Sequence, residues 1–337
     1  MRGVLFALAA LAALSSPALA QEPPKNVVLV TIDGLRWEEL FRGADPDLVR
    51  DAETRARYVD VPDRAQALAP FLLGFAQTGA LIGNRDAGSC ALVSNDFWFS
   101  YPGYAEMLGG RPNPRVRYNA AIQNDDVTVL ERLIRRPEFA DQVRVFAEWN
   151  AVPAIVNTER SGIPVSLPPD YEAPHDPQVM TAAREVLADL PRVTWINLGG
   201  TDTNAHAGRY PDYLASASAA DAFLSELWTS IETNPRTAGR TTLIVTTDHG
   251  RGASARNRWR GHGSGRWRGI VVPGLRHVGS DAVWIAARGP GIGGGSYGME
   301  NCATVSQVAA TMLRSIDLDE ERQSDMAPAL DVFATAP

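Results

Sequence analysis

Lysine is almost missing from this chain. Lys25 is the single lysine among 32 basic residues, so nearly all positive charge is arginine. The planar guanidinium fork suits oxyanions, although codon bias alone would give the same composition. Cysteine is nearly as scarce: Cys90 and Cys302 have neither the spacing of a zinc ribbon nor a CxxC pair, which sets aside catalysis by cysteine. Two cysteines so far apart in sequence could form one bridge, but spacing does not show that they meet. A net charge of -7 argues against nucleic acid as a general partner. The chain also lacks a Walker motif, because its single lysine follows no glycine loop.

Long apolar runs are missing too, except at the start. Residues 1–20 have a basic Arg2, an apolar stretch from Val4 to Leu14 and an Ala-Leu-Ala end before Gln21. This reads as a secretory signal peptide; the run is too short for a spanning helix, which needs ~20 residues. The expectation is an exported protein, periplasmic or secreted, with no membrane anchor in the mature chain. Residues 21–337 suffice for one catalytic domain with a sizeable core.

What is present is an alternation. Short β-branched runs at 26–32, 143–149, 192–198, 241–247 and 282–287 read as strands buried on both faces of a parallel sheet. Amphipathic stretches at 127–136, 177–190 and 212–232 read as helices between them. The pattern predicts an α/β fold, a three-layer sandwich around a mostly parallel sheet. A Pro-rich segment at 150–176 and a Gly-, Arg- and Trp-rich segment at 250–280 follow strands, so they are expected to be lid-like loops at the sheet's carboxyl edge, where such folds bind ligands.

Three strand runs lead straight into carboxylates or histidines. The first ends at Asp33-Gly34, that at 192–198 leads to Asp202-Thr-Asn-Ala-His206, and that at 241–247 ends at Asp248-His249-Gly250. One Asp after a strand is usually a turn or a cap. Three such ends, two of them with a histidine, point to metal, because imidazole with carboxylate suits zinc and also manganese or iron. Of the five histidines, His175 and His277 lack a partner pattern and are assigned to structural or surface roles. Ser100 precedes Tyr-Pro102, a proline suited to a first helical turn, which would put the serine where backbone N–H groups favour an anion. Taken alone, a serine there reads first as the helix cap.

In order, these motifs resemble the alkaline phosphatase superfamily, in particular its nucleotide pyrophosphatase/phosphodiesterase and phosphatase branches. The set is Asp33-Gly34, Ser100-Tyr-Pro, Asp202 to His206, Asp248-His249-Gly250 and His262-Gly263, spread over most of residues 26–317. The resemblance implies two divalent metal ions, zinc first among the choices. Asp202, His206 and His262 would hold one ion; Asp33, Asp248, His249 and the Ser100 oxygen would hold the other. It also implies a phosphate ester hydrolase with Ser100 as nucleophile, acting on a small phosphorylated substrate. Asn119 matches the place where related phosphodiesterases put an asparagine that donates to a phosphoryl oxygen, and a turn asparagine reads equally well there. Arg160 resembles half of the Lys-x-Arg clamp of phosphatase members and tips the expectation toward a monoester. Thr158 fills the lysine position, which keeps a diesterase open, and Arg160 pairing with a surface carboxylate is as good a reading.

Other readings stay beside this one. Sulfatases share the fold but place arginine where Tyr104 stands. A non-catalytic exported protein binding a metal or a phosphorylated ligand, or a phosphomutase, would use the same fold. Gly289 to Gly294 matches GxGxxG, yet more glycine follows and the segment reads as a loop. The arginines around His262 (Arg251, Arg256, Arg258, Arg260, Arg266, Arg268) read as a solvated loop or as a positive field for an anion. Trp259 and Trp267 would stack on a leaving group or pin that loop.

Overall fold

A computed structural model describes residues 25–169, 175–186, 189–253, 258–267, 270–295 and 297–333. The expected signal peptide lies outside the described residues, as do Arg256, Arg268 and the Trp267 side chain.

The central sheet has seven strands: β1 (Asn26–Ile32), β2 (Ala80–Ile82), β3 (Val143–Ala147), β4 (Val165–Ser166), β5 (Val193–Leu198), β6 (Thr241–Thr246) and β7 (Ile285–Arg288). Their spatial order is β2-β7-β6-β1-β5-β3-β4. β1 lies between β5 and β6 and is parallel to both, and β7 runs against its neighbours β6 and β2. All seven residues of β1 are buried. Val27 and Leu29 join one apolar core, while Val28, Val30 and Ile32 join the other. Alternate residues of a strand point to opposite faces, so a continuous apolar run serves two helical layers.

On the first face lie α1 (Ser100–Gly109) and α5 (Gln307–Ser315); on the second lie α2 (Asp176–Glu185) and α4 (Tyr210–Thr233), with α3 (Gly200–His206) leading into α4. This is the expected three-layer α/β sandwich. Among the described residues no helix is long and apolar enough to cross a membrane.

Two runs depart from their reading. The run at 282–287 is broken at Trp284, whose indole N–H donates to the Leu35 carbonyl over 2.9 Å. Ala282–Val283 joins a small sheet with Ala91–Leu92 and Ala303–Thr304, and only Ile285–Arg288 enters the main one. The segment after β3 is not all loop, since it contains helical turns at Val152–Ile155 and Thr158–Ser161 and the edge strand β4. Cys90 and Cys302 are bonded, joining the ends of the two small-sheet strands across 212 residues. The GxGxxG match at 289–294 opens into no helix; Ile292 instead bridges to Phe333.

Candidate metal centre and nucleophile

The carboxyl ends of the three central strands deliver the ligand groups. Asp33 directly follows β1, β5 leads through Gly199 into α3 with Asp202 and His206, and β6 leads through Thr247 to Asp248-His249. Because these strands are parallel and adjacent, their ends share one edge of the sheet. A sixth group comes from the 250–280 segment, whose His262 ring stacks on His249 with centroids 3.9 Å apart.

Two ligand sets result: Asp33, Asp248 and His249, which are buried, and Asp202, His206 and His262, which are more open. In the first, each carboxylate is tied by one oxygen. Asp33 accepts from the Tyr104 hydroxyl on Oδ2 over 2.9 Å, and Asp248 accepts from the Gly34 N–H on Oδ1 over 3.1 Å. The other oxygens, Asp33 Oδ1 and Asp248 Oδ2, are buried without a hydrogen bond, and each lies 3.3 Å from His249 Nε2. The far nitrogen of that ring, Nδ1, faces the Gly250 carbonyl at 2.8 Å, which directs the Nε2 lone pair into the set when the ring is neutral. Buried carboxylate oxygens are costly unless a cation or donor meets them, so this arrangement fits a divalent ion.

In the second set, His206 Nε2 and His262 Nε2 face one another at 2.9 Å, and His206 Nε2 is 3.3 Å from Asp202 Oδ2. Two imidazole nitrogens and a carboxylate oxygen turned toward one point are zinc-type donors, and this set fits an ion as well.

The charges follow the geometry. Burial alone would lower the His249 imidazole, but Asp248 and Asp33 raise it to about 9. Burial, with Asp33 alongside, pushes the Asp248 carboxyl upward. Against the effect of burial, the Arg251 guanidinium and the two histidines hold Asp202 well below the carboxylate range. Burial and the neighbouring His249 push His262 down.

Ser100 does not act as a cap. Phe99 occupies the N-cap position of α1, and Ser100 is the first helical residue with its Oγ 3.3 Å from His249 Nε2. The helix approaches this closely because Gly103 has no side chain; a Cβ there would lie 2.3 Å from the Asp248 carbonyl oxygen. Asn119 lies beside the serine, its Oδ1 accepting the Tyr101 N–H over 2.8 Å.

The Arg160 guanidinium is engaged within the fold. Its Nε and Nη2 grip the buried Glu131 at 2.8 Å each, and the remaining donors reach the carbonyls of Asn124, Asp125 and Asp126. A guanidinium has five N–H groups, and all are spent on this structural junction, leaving none for a phosphoryl oxygen. The carboxylate it pairs with is Glu131, not the neighbouring Glu159.

The arginine segment divides. Arg258, Arg260 and Arg266 are exposed, while Arg251 is buried against Asp202. Trp259 is buried edge-on to Tyr210, with centroids 5.0 Å apart, and so pins the loop rather than facing a leaving group. His277 supports the same loop: its ring fills the space beside Gly261, and its backbone N–H donates to the Gly263 carbonyl over 3.0 Å. Sequence reasoning gave no supporting role to Tyr104, Asn197 or Asp176. Asn197 donates to the Tyr104 hydroxyl over 2.7 Å, and Asp176 accepts the N–H groups of Gly199 and Gly200 at the start of α3. The one local signal was the four-residue spacing of Ser100 and Tyr104, which puts both on one helix face.

No protein-family model matches the chain, and no curated relative is found. Solved structures do match. A protein in the alkaline phosphatase superfamily from Vibrio parahaemolyticus superposes with a TM-score of 0.51 at 14% identity, over 88% of this chain and 67% of that one. The lipoteichoic acid synthase LtaP from Listeria monocytogenes gives 0.56 at 10% identity, over 93% and 75%. The 2-O GAG sulfatase BT1596 gives 0.52 at 11% identity, over 90% and 76%. At these identities the likeness speaks for the fold, and it agrees with the motif order: the chain has the fold of the alkaline phosphatase superfamily.

Proposed function

We propose that this protein is an exported hydrolase of phosphate esters that holds two divalent ions and uses Ser100 as its nucleophile. The observation that carries the reading is the Ser100 hydroxyl at 3.3 Å from His249 Nε2, the same nitrogen that faces the unpartnered oxygens of Asp33 and Asp248. All seven groups named by the resemblance lie at one edge of the sheet. A non-catalytic binding protein would have no need of the serine at that point.

Asp33, Asp248, His249 and Ser100 would hold one ion, and Asp202, His206 and His262 the other. Bound there, two cations such as zinc would make the serine hydroxyl more acidic and offset charge on the departing oxygen. Ser100 Oγ attacks phosphorus, and the bond from phosphorus to the leaving alcohol breaks. Water then attacks the same phosphorus, the Oγ–P bond breaks, and the proton returned to Ser100 regenerates the hydroxyl. Asn119, fixed by its bond to the Tyr101 N–H, donates to a phosphoryl oxygen. Tyr104 and Asn197 hold Asp33 in one orientation.

Arg160, the cationic donor that the motif offered to a monoester dianion, is committed to Glu131. This favours a diester over the monoester that the Arg160 motif suggested. The matching solved sulfatases raise sulfate esters as a second substrate, but Tyr104 stands where those motifs carry arginine and its hydroxyl is engaged by Asp33. A panel of phosphate monoesters, diesters, phosphonates and sulfate esters, run with metal analysis of the purified protein, tests the reading. Diester turnover that is lost on chelation and restored by zinc is expected. Full activity without bound metal, or turnover confined to sulfate esters, contradicts it.

A further inference from the structure

Arg251 directly follows the Asp248-His249-Gly250 motif and turns inward. It is 1% exposed. Its Nη1 donates to Asp202 Oδ1, its Nε to the Trp259 carbonyl over 2.7 Å, and its Nη2 to the Arg260 carbonyl. The two carbonyls hold the guanidinium from behind, so it cannot swing away from the carboxylate.

Its position is central to both ligand sets. A Cβ built on Gly34 would lie 2.7 Å from Arg251 Nη1, 3.0 Å from Asp202 Oδ1 and 3.1 Å from His249 Cε1. A cation, a carboxylate of one set and an imidazole of the other therefore converge on one glycine. Gly34 has φ of 60°, a backbone conformation that favours glycine, and a side chain there would strike the guanidinium.

The charge count then differs between the sets. Asp33 and Asp248 give the first set two carboxylates. The second has Asp202 alone, and Arg251 already shares it. An ion entering the second set meets a nearly neutralised carboxylate and the fixed positive charge of a guanidinium that is itself buried and so little screened by water. We propose that Arg251 is a positioning residue that makes the Asp202–His206–His262 set the weaker, exchangeable metal site. It does so by holding Oδ1 of Asp202 and leaving Oδ2, on the His206 side, for the ion. This rests on the two-ion reading above. Its consequence is ordered loading: the set that includes Ser100 fills first, and the second ion comes and goes with metal supply.

The test uses the full chain, stripped of metal and titrated with zinc alone, followed by the ring-nitrogen NMR signals of its histidines. The His249 signals are expected to shift with the first equivalent, and those of His206 and His262 with the second. Response of His206 and His262 first, or of all three rings in one step, would overturn the proposal. In Arg251→Met, chelator competition should show the second zinc bound at least tenfold more tightly with the first unchanged, and Arg251→Lys should return toward the original affinity. Unchanged affinity for both ions in a folded Arg251→Met protein would overturn it as well. If Arg251→Met does not fold, the loading order in the unsubstituted chain decides. Failure of zinc to bind either set would instead remove the two-ion reading itself.

Discussion

The Tyr104 hydroxyl donates to Oδ2 of Asp33 over 2.9 Å and accepts from the Asn197 side chain over 2.7 Å, so a buried phenol fixes which oxygen of Asp33 faces the ligand set. Tyr104 lies one helical turn beyond Ser100, and α1 thereby positions the nucleophile and a ligand together. Tyr104→Phe keeps the ring and removes the donor. Its first metal site should weaken by about 10- to 100-fold, the usual effect of losing an outer hydrogen bond to a ligand. Zinc titration of the variant measures this, and unchanged affinity would make the phenol a packing residue only.

Asn119 tests a second contact. Asn119→Ala should lower kcat by roughly tenfold or more on every phosphate ester, as for a lost donor to transition-state charge. Asn119→Asp keeps an acceptor for the Tyr101 N–H and removes the amide donor. If the aspartate variant keeps near-normal rates, the residue serves the helix start and does not touch the phosphoryl group.

Arg160 belongs to the fold. Arg160→Ala should cost about 1–2 kcal/mol, because Glu131 keeps only its contact with Arg135 and three carbonyls lose a donor. The ratio of monoester to diester turnover should not change. Denaturant unfolding and paired rate measurements check both halves, and a loss confined to monoesters would return Arg160 to the substrate site.

Acid should strip the first metal site. In the metal-free chain the His249 imidazole is raised to about 9 from an ordinary value near 6.5, so at neutral pH a proton holds the position that an ion needs. Apparent zinc affinity should therefore rise with pH and level off above about 9. The sign reverses for the stability of the metal-free protein. A group raised on folding stabilises most below its unfolded value, so this contribution fades as pH climbs from about 6.5 through 9. Chelator competition and thermal unfolding across that window measure the two trends. Zinc affinity independent of pH there would mean that His249 is not a ligand.

The sequence made legible what is local. Runs such as 26–32 were readable as strands because burial on both faces leaves no polar alternation, and ligands one or two residues past a strand end travel with it. Arg160 was not readable in this way: its partner Glu131 lies 29 residues earlier and is brought near only by tertiary packing. Arg251 sat in a charge-rich stretch that reads as solvated, yet the turn after His249 carries it into the core. Cys90 and Cys302, separated by 212 residues, meet because two short strands of a separate small sheet bring them together. Tyr104 was visible only as a departure from the sulfatase pattern, since nothing nearby in sequence marks Asp33 as its partner.

The central claim is that phosphorus passes through Ser100. Zinc-loaded protein, mixed with a diester substrate and acid-quenched during turnover, can be digested and its peptides weighed by mass spectrometry. The account predicts one added phosphoryl-ester group on the peptide containing Ser100, and its absence in Ser100→Ala together with a loss of turnover by several powers of ten. A phosphorylated peptide elsewhere in the chain, or near-normal turnover in Ser100→Ala, would contradict it.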